Sequence, residues 1–312
     1  MDGDAPTALS RLSLTDRIAF RLRGTAPVRH LYRGKRNRSA DTFVLSFPKC
    51  GRTWLRILLG KAIADHHGIT GVDFGELPQL AEQAPGLPVI RFKHDDNPHF
   101  KTPDELVRRK TEYRDRPVVL LVRDVRDTVV SAYFQMTRRE QKYRFEGDID
   151  AFARSDRGGA RTLVGFYNAW ARQHHIPPAF LLSRYEDLHA DPHAELRRLL
   201  EFVGLPDIAD ATLDAAVEFA SFGNMRKMEV SGDAPGRLTN AETDGSDPEA
   251  LKTRKGKVGG YAGYLRPDTV DWLNNLIDHE LDPVFGYRSD RLEPAALTKP
   301  VPETEPATGD PR

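Results

Sequence analysis

The chain has 312 residues, of which 39% are hydrophobic and 29% charged, and its 46 Lys and Arg balance 46 Asp and Glu. A net charge of zero argues against a protein held on nucleic acid by bulk charge. A single cysteine, Cys50, excludes a disulfide framework and any metal site built from several cysteines. The sequence has no apolar stretch long enough to span a membrane and no secretory signal, so we predict a cytoplasmic protein.

Residues 1–40 are predicted to be a basic N-terminal arm. They hold nine Lys or Arg and three acids, and Leu14, Ile18 and Leu22 recur at helical spacing. One interpretation is an amphipathic helix that makes peripheral contact with an anionic membrane surface. The other interpretation is a solvated arm packed loosely on the domain. We favour it, because charge-rich segments more commonly form solvated surface.

Short apolar runs between residues 41 and 290 predict buried strands, and helical patterns separate them. Alternating strands and helices predict an α/β fold with a central parallel sheet and helices on both faces. The predicted strands are Thr42–Phe47, Pro88–Lys93, Pro117–Val122 and Ala179–Ser183. The predicted helices are Thr53–His66, Asp104–Thr111, Asp127–Arg138, Thr162–Arg172 and His193–Val203. Residues 291–312 are proline-rich and are expected to form a disordered tail.

The turn between the first strand and its helix, residues 48–54, has the features of a phosphate-binding loop. The N–H groups of a helix N-terminus attract anions, and Gly51 lets the backbone approach a ligand closely. Lys49 adds a mobile cation and Thr53 a hydroxyl. The loop is not a standard Walker A motif, because it lacks the first glycine and has Arg52 in place of the lysine. An ordinary turn with a solvated lysine is the alternative.

Two later segments carry further cations. Arg123 ends the third strand, and Ser131 follows it within the next predicted helix. Residues 254–257 place three cations beside a glycine, after residues 228–248, which we expect to form a mobile lid. Each segment alone is also compatible with a solvated surface, whereas together they indicate a ligand with two separated phosphate-type groups.

Taken in order, these segments resemble the sulfotransferases that use 3′-phosphoadenosine 5′-phosphosulfate (PAPS). The stretch Ser46–Trp54 resembles their 5′-phosphosulfate loop, and Arg123–Ser131 resembles their 3′-phosphate motif. Later blocks follow in the family's order: Tyr185–Leu188, Leu199–Gly204, Ala220–Met225 and Arg254–Gly256. The resemblance covers roughly residues 41–290 and implies a P-loop-like, three-layer sulfotransferase domain.

The resemblance also implies roles for the matching residues, and it implies no metal. Lys49 would hold the 5′-phosphosulfate together with the backbone of Cys50, Gly51, Arg52, Thr53 and Trp54. The 3′-phosphate would be held by Arg123, Ser131, Arg254, Lys255 and Gly256. The adenine would be framed by Trp54, Tyr185, Ser221 and Phe222.

His94, at the end of the second strand, is the candidate general base. The carboxyl end of a parallel strand faces the ligand crevice, and a histidine titrates near neutral pH. It resembles the family's strand-end base, and Asp95 or Asp96 is expected to orient its ring. Many family members carry a lysine where this chain has Phe92, which leaves open whether Lys93 neutralises the sulfuryl oxygens.

Cys50 stands where the family usually has serine. Its predicted position at a helix N-terminus, between two cations, favours the thiolate, so we expect a reactive thiol that bound nucleotide protects. The alternative is a buried, inert residue.

The predicted function is transfer of a sulfuryl group from PAPS to a hydroxyl or amine, with Lys49 and His94 as catalytic residues. The alternatives are a P-loop nucleotide kinase and a non-catalytic nucleotide-binding protein of the same fold. Residues 72–100, 134–161 and 228–248 are expected to line the acceptor pocket. Because these segments are polar and basic, we expect a polar acceptor such as a glycan or a lipid-linked sugar. The sequence leaves the oligomeric state open.

Overall fold

The computed structural model describes residues 40–301, except 141–142, 236–237, 239–246, 294 and 296. The basic arm and residues 302–312 lie outside the described residues, so what the sequence indicates about them stays a prediction.

The strands of the described residues are β1 Thr42–Ser46, β2 Ile90–Lys93, β3 Val118–Val122, β4 Phe180–Arg184 and β5 Thr298–Lys299. They form one sheet in the order β2-β1-β3-β4-β5. The first four are parallel, and β5 runs antiparallel to β4. The predicted parallel sheet is confirmed, with strand ends shifted by at most two residues.

Every residue of β1, β3 and β4 is buried. Strands can be buried along their whole length only if both faces of the sheet are covered, as in parallel sheets flanked by helices. The edge strand β2 differs, because only Ile90 is fully buried. The three-layer α/β fold predicted from the sequence is therefore confirmed.

The described residues form the following helices: α1 Arg52–His66, α2 Leu77–Gln83, α3 Val125–Arg138, α4 Ile149–Arg154, α5 Ala160–Gln173, α6 Tyr185–Ala190, α7 Pro192–Phe202, α8 Asp210–Phe219, α9 Phe222–Ser231 and α10 Pro267–Glu280. Four of the five helices predicted from the sequence are present, with ends shifted by at most two residues. Helices α1, α2, α7 and α8 pack together, and helices α3, α4, α5 and α10 form a second packed group.

The predicted helix Asp104–Thr111 is wrong. The structure has one 3₁₀ turn at Pro103–Glu105 and another at Thr111–Tyr113, with irregular backbone between them. The Lys110 ammonium turns inward and donates to the Val107 carbonyl at 2.7 Å. That carbonyl would accept the N–H of residue 111 in an α-helix, so a tertiary contact replaces the helical one.

The tail also differs from the prediction, because Thr298–Lys299 forms the strand β5. Proline-rich composition suggested disorder, but the edge of β4 offers unpaired backbone groups that a short strand can satisfy. Lys299 extends the contact by donating to the Pro177 carbonyl at 2.8 Å. The predicted lid begins with residues 228–231, which continue α9, whereas much of its remainder lies outside the described residues.

The strand order sets where a ligand can bind. Because β1 lies between β2 and β3, the chain passes from β1 to β2 on one side and then returns to form β3 on the other side of β1. Such a switch point opens a crevice beyond the carboxyl ends of β1 and β3. The loop after β1, at residues 47–51, and the loop after β3, at residues 123–124, border that crevice.

Gly60 tests the packing of α1. A Cβ at this position would overlap the backbone carbonyl of Phe74, so Gly60→Ala should lower the free energy of unfolding by about 1–3 kcal/mol. Gly223 is the matched control, because a Cβ there would meet no atom within 4 Å. Gly223→Ala should leave stability unchanged or raise it by up to about 1 kcal/mol. Urea denaturation measures both, and equal midpoints for the two variants would contradict the packing described.

Candidate active site

A cavity of about 590 Å³ lies beyond the carboxyl ends of β1 and β3. It brings together most of the residues predicted from the sequence, which come from segments far apart in the chain. The predicted residues that line it are Lys49, Gly51, Arg52, Thr53, Trp54, His94, Arg123, Ser131, Tyr185, Phe222, Arg254, Lys255 and Gly256. Cys50 and Ser221 do not line it.

The loop after β1 has the backbone geometry of an anion site. Lys49 and Gly51 have φ angles of +77° and +92°. Glycine is required at position 51 because of this positive φ angle and because a Cβ there would lie 2.5 Å from the Tyr185 ring. Among the described residues, no side chain caps α1 and no acid occupies its first turn. The first-turn N–H groups of Thr53 and Trp54 have no partner within the helix and carry its positive dipole end.

Positive charge is concentrated around the cavity although the whole chain is neutral. Among the described lining residues, Asp127 is the one carboxylate against nine Lys or Arg. The cations are Lys49, Arg52, Arg56, Arg123, Arg139, Lys252, Arg254, Lys255 and Lys257. Burial, and then Arg139, Lys252 and Arg123, lower the pKa of Lys49 well below its ordinary value. A bound anion would offset the repulsion between the Lys49 ammonium and these three cations.

Arg123 connects three of the predicted segments. Its guanidinium donates to the carbonyl of Lys49 at 3.4 Å and to that of Lys257 at 3.0 Å. It also lies over the Tyr185 ring, 4.2 Å from the centroid. Its Nε is buried and has no hydrogen-bond partner among the described residues. A buried donor without an acceptor costs free energy, which a ligand oxygen would recover.

Aromatic side chains form one wall of the cavity. The ring centroids of Trp54 and Tyr185 lie 5.7 Å apart. The His189 ring lies edge-on to Trp54 and is tilted by 46° relative to Tyr185. The His189 ring donates from Nε2 to the Gly256 carbonyl at 3.1 Å. A Cβ on Gly256 would overlap the Phe222 ring, so glycine is needed for this contact. The wall can pack against a planar base. The sequence analysis missed His189, although it lies one helical turn after Tyr185 on α6.

Two predicted nucleotide ligands have other partners. Ser221 caps α9 by accepting the N–H of Asn224 at 3.4 Å. The Arg254 guanidinium pairs with Glu249 at 3.3 Å and lies over the Phe134 ring at 4.4 Å. Direct roles for Ser221 and Arg254 in nucleotide binding therefore remain predictions.

The His94 ring is held in its neutral form. Its Nδ1 lies 3.2 Å from the Ser46 carbonyl oxygen, which can only accept, so Nδ1 carries the proton and Nε2 keeps a lone pair. Burial, and then Arg52 and His99, lower the pKa of His94 well below its ordinary value. The imidazole is thus in the form that accepts a proton at neutral pH.

The expectation that Asp95 or Asp96 orients His94 is wrong. The buried Asp95 carboxylate instead accepts hydrogen bonds from Lys110, Tyr113 and Trp170 at 2.6, 2.8 and 3.0 Å. Asp96 pairs with Lys101. Residues 95–97 have φ angles of +42°, +69° and +51°, which cost free energy in non-glycine residues. The Asp95 contacts stabilise this strained turn directly after His94.

Lys93 does not supply the charge that Phe92 lacks. Its ammonium pairs with Glu112 at 3.1 Å, outside the cavity lining. The Arg56 guanidinium instead lies over the Phe92 ring, 4.9 Å from the centroid, and lines the cavity. Because Arg56 follows Arg52 by four residues on α1, the two arginines share a helix face, and this spacing is a signal that the sequence analysis missed.

His99 also lines the cavity and was not predicted. Its ring centroid lies 5.9 Å from that of His94, and its Nδ1 is buried without a hydrogen-bond partner among the described residues. Burial, followed by the charge of Arg52, lowers the pKa of His99 to about 4. No spacing in the sequence marks this residue, because the turn after β2 and a 3₁₀ helix at Pro98–Phe100 bring it beside His94.

The predicted reactivity of Cys50 is contradicted by its burial. The side chain is fully buried, and Sγ lies 3.4 Å from the Tyr167 hydroxyl. Burial raises the pKa of the Cys50 thiol to about 11. The prediction assumed that the thiol points towards the helix N-terminus, whereas the side chain points into the core.

Comparison with known proteins agrees with the geometry of the cavity. The model of the sulfotransferase domain family matches residues 39–284, and the chain belongs to this family. It is 25% identical to cytosolic sulfotransferase 10 of Arabidopsis thaliana over 285 residues, covering 81% of each chain. It is 24% identical to flavonol 3-sulfotransferase of Flaveria bidentis, covering 77% of this chain and 81% of the relative.

Solved structures share the fold. Mouse sulfotransferase SULT7A1, crystallised with PAP, superposes with a TM-score of 0.52 at 18% identity over 78% of this chain and 85% of that one. Retinol dehydratase in complex with androsterone and the inactive cofactor PAP superposes with a TM-score of 0.51 at 16% identity, covering 78% of this chain and 81% of that one. The predicted class of enzyme is confirmed: the chain is a sulfotransferase. Within the described part of the chain, no helix is long and apolar enough to cross a membrane.

The burial of Cys50 reverses the expected effect of thiol reagents. Maleimide should leave the native protein unmodified near neutral pH, because the thiol is inaccessible and protonated. Denaturant should expose Cys50 to rapid labelling, and added nucleotide should change nothing in the native state. Mass spectrometry of the intact protein measures the adduct. Rapid native labelling would place the thiol in the cavity after all.

Burial of neutral His99 predicts a loss of stability in acid. Below about pH 6.5 the unfolded chain binds a proton that folded His99 accepts only near its pKa of about 4. The free energy of unfolding should therefore decrease as the pH is lowered from about 6.5 to about 4, by at most about 3 kcal/mol for this residue. His99→Gln should flatten the dependence, whereas exposed His66→Gln should not. Urea unfolding across this pH range measures it, and parallel curves for wild type and His99→Gln would refute it.

Proposed function

We propose that the protein transfers a sulfuryl group from PAPS to a hydroxyl or amine of an acceptor. The observation that carries this proposal is the cavity in which Arg123, with an unsatisfied buried Nε, joins the loop after β1 to residues 254–257. Membership of the sulfotransferase family supports it, as do the fold relatives crystallised with PAP.

The nucleotide would lie across the switch point with its two anionic ends apart. Lys49 and the first-turn N–H groups of α1 would hold the 5′-phosphosulfate. Arg123, Ser131 and residues 254–256 would hold the 3′-phosphate, with the unsatisfied Nε of Arg123 as a donor. The adenine would pack against the aromatic wall that contains Trp54 and Tyr185.

In the proposed step, the acceptor oxygen forms a bond to sulfur as the bond from sulfur to the bridging oxygen breaks. The acceptor proton passes to Nε2 of His94, which the Ser46 carbonyl holds in the required tautomer. Negative charge develops on the departing phosphate oxygen of PAP, and the Lys49 cation stabilises it. The products are the sulfate ester, or the sulfamate from an amine, and PAP. The step invokes no metal.

A glycan or a lipid-linked sugar remains our proposed acceptor class, supported by the polar residues Arg52, Arg56 and His99, which lie near His94 in the cavity lining. Cytoplasmic location is likewise a proposal, supported by relatives named cytosolic sulfotransferases.

Labelled group transfer tests the function. Transfer of radiolabel from sulfur-labelled PAPS to a panel of hydroxylated acceptors, without transfer from phosphate-labelled ATP, is the expected result. Transfer from ATP alone would indicate the kinase alternative, and binding of PAP without any transfer would indicate the non-catalytic one.

Two variants separate binding from chemistry. His94→Ala should reduce turnover by about 10²–10⁴-fold and leave PAP affinity nearly intact. Arg123→Ala should weaken PAP by about tenfold or more and abolish the preference over the analogue without a 3′-phosphate. Exposed Arg138→Ala is the control and should change neither. Near-normal turnover of His94→Ala, or unchanged calorimetric titrations of Arg123→Ala, would overturn the corresponding assignment.

A further inference from the structure

Tyr167 on α5 contacts both loops that border the crevice. Its hydroxyl oxygen accepts the backbone N–H of Arg123 at 2.9 Å, and its O–H donates to the Arg123 carbonyl at 2.9 Å. The same oxygen lies 3.4 Å from Sγ of Cys50, in the loop after β1. Because the one hydroxyl proton is used on the carbonyl, the thiol is the donor in this contact. The Tyr167 hydroxyl therefore bridges the two loops.

The backbone of Arg123 needs this hydroxyl because of where β3 ends. Val122 is the last residue of β3 and the last that pairs with β4, so the N–H and C=O groups of Arg123 lie beyond the strand. Backbone groups outside a ladder need another partner wherever water is excluded. Tyr167 is such a partner for both groups, and the Thr128 hydroxyl also reaches the carbonyl, at 3.5 Å.

Tyr167 is held in the core, apart from any ligand. Its side chain is fully buried, and its ring centroid lies 5.2 Å from that of Phe285. It is not among the described residues that line the cavity. Its hydroxyl can therefore affect a ligand only through the two loops that it contacts.

The guanidinium of Arg123 is oriented by a separate set of contacts. It donates to the carbonyls of Lys49 and Lys257, lies over the Tyr185 ring and lies 3.6 Å from the Asp127 carboxylate. These contacts hold the end of a long side chain, whereas Tyr167 holds the backbone from which the side chain starts. A binding group is placed accurately only when residues behind it fix its position.

We propose that Tyr167 is a positioning residue for the nucleotide. Its hydroxyl holds the Arg123 backbone at a fixed distance from the loop after β1. It thereby sets the separation between the site of the 3′-phosphate and the site of the 5′-phosphosulfate. The inference rests on the proposed function, in which Arg123 binds the 3′-phosphate.

Removal of the hydroxyl by Tyr167→Phe tests the inference, because the ring and its packing are kept. Calorimetry compares PAP with adenosine 5′-phosphate, which lacks the 3′-phosphate. PAP should bind about tenfold more weakly to the variant, since Arg123 loses its backbone partner. The affinity for adenosine 5′-phosphate should change by less than about twofold, because the S–H donor lost at the loop after β1 is weak.

Thr162→Val is the matched control on the same helix. Thr162 is fully buried, and its hydroxyl lies 3.1 and 3.0 Å from the carbonyl oxygens of Lys101 and Asp156. This substitution also removes a buried hydroxyl that bonds to the backbone. It should lower the urea midpoint as Tyr167→Phe does, yet leave the preference for PAP over adenosine 5′-phosphate unchanged.

Hydrogen exchange adds a measurement on the wild-type protein, which does not depend on the folding of a variant. The Arg123 amide should exchange slowly before nucleotide is added, because its acceptor is a fully buried side chain.

Three outcomes would overturn the inference. They are an unchanged preference for PAP in Tyr167→Phe, an equal fall of that preference in Thr162→Val, and rapid exchange of the wild-type Arg123 amide. Failure of the wild-type protein to bind PAP would instead refute the proposed function.

Discussion

Repulsion among like charges is the constraint on which this site depends. The sheet brings cations from distant segments to the carboxyl ends of β1 and β3, in a chain that is neutral as a whole. Arg123 is held by the carbonyls of Lys49 and Lys257, by the Tyr185 ring and by the Asp127 carboxylate 3.6 Å away. Asp127 is the one carboxylate among the described lining residues. An anion bound in the cavity would therefore lower the repulsion among its cations.

The same charges set the chemistry of His94. Burial disfavours the imidazolium, and the charges of Arg52 and Arg56 act in the same direction, so the His94 ring stays neutral. An anion bound among these arginines would weaken their effect and raise the proton affinity of His94. Binding of an anion there and the proton affinity of His94 would thus be coupled by the field inside one low-dielectric cavity.

Strained backbone at the site is supported by contacts deeper in the domain. Lys49 and residues 95–97 have positive φ angles next to strands that are largely buried. Asp95 stabilises the second of these turns through Lys110, Tyr113 and Trp170, of which Trp170 lies on α5. His94 is therefore placed by a buried ion pair whose residues do not line the cavity.

The sequence by itself determined the four parallel strands, four of the helices and, apart from Cys50 and Ser221, the placement of the predicted site residues around one cavity. Apolar periodicity is local, and the loops that follow parallel strands must meet at one edge of the sheet. Only the tertiary structure decided the burial of Cys50, the partners of Asp95 and the contact between His99 and His94. It also replaced the predicted helix Asp104–Thr111 with irregular backbone. These outcomes depend on which way a side chain points and on contacts between residues distant in sequence, and neither is encoded in local spacing.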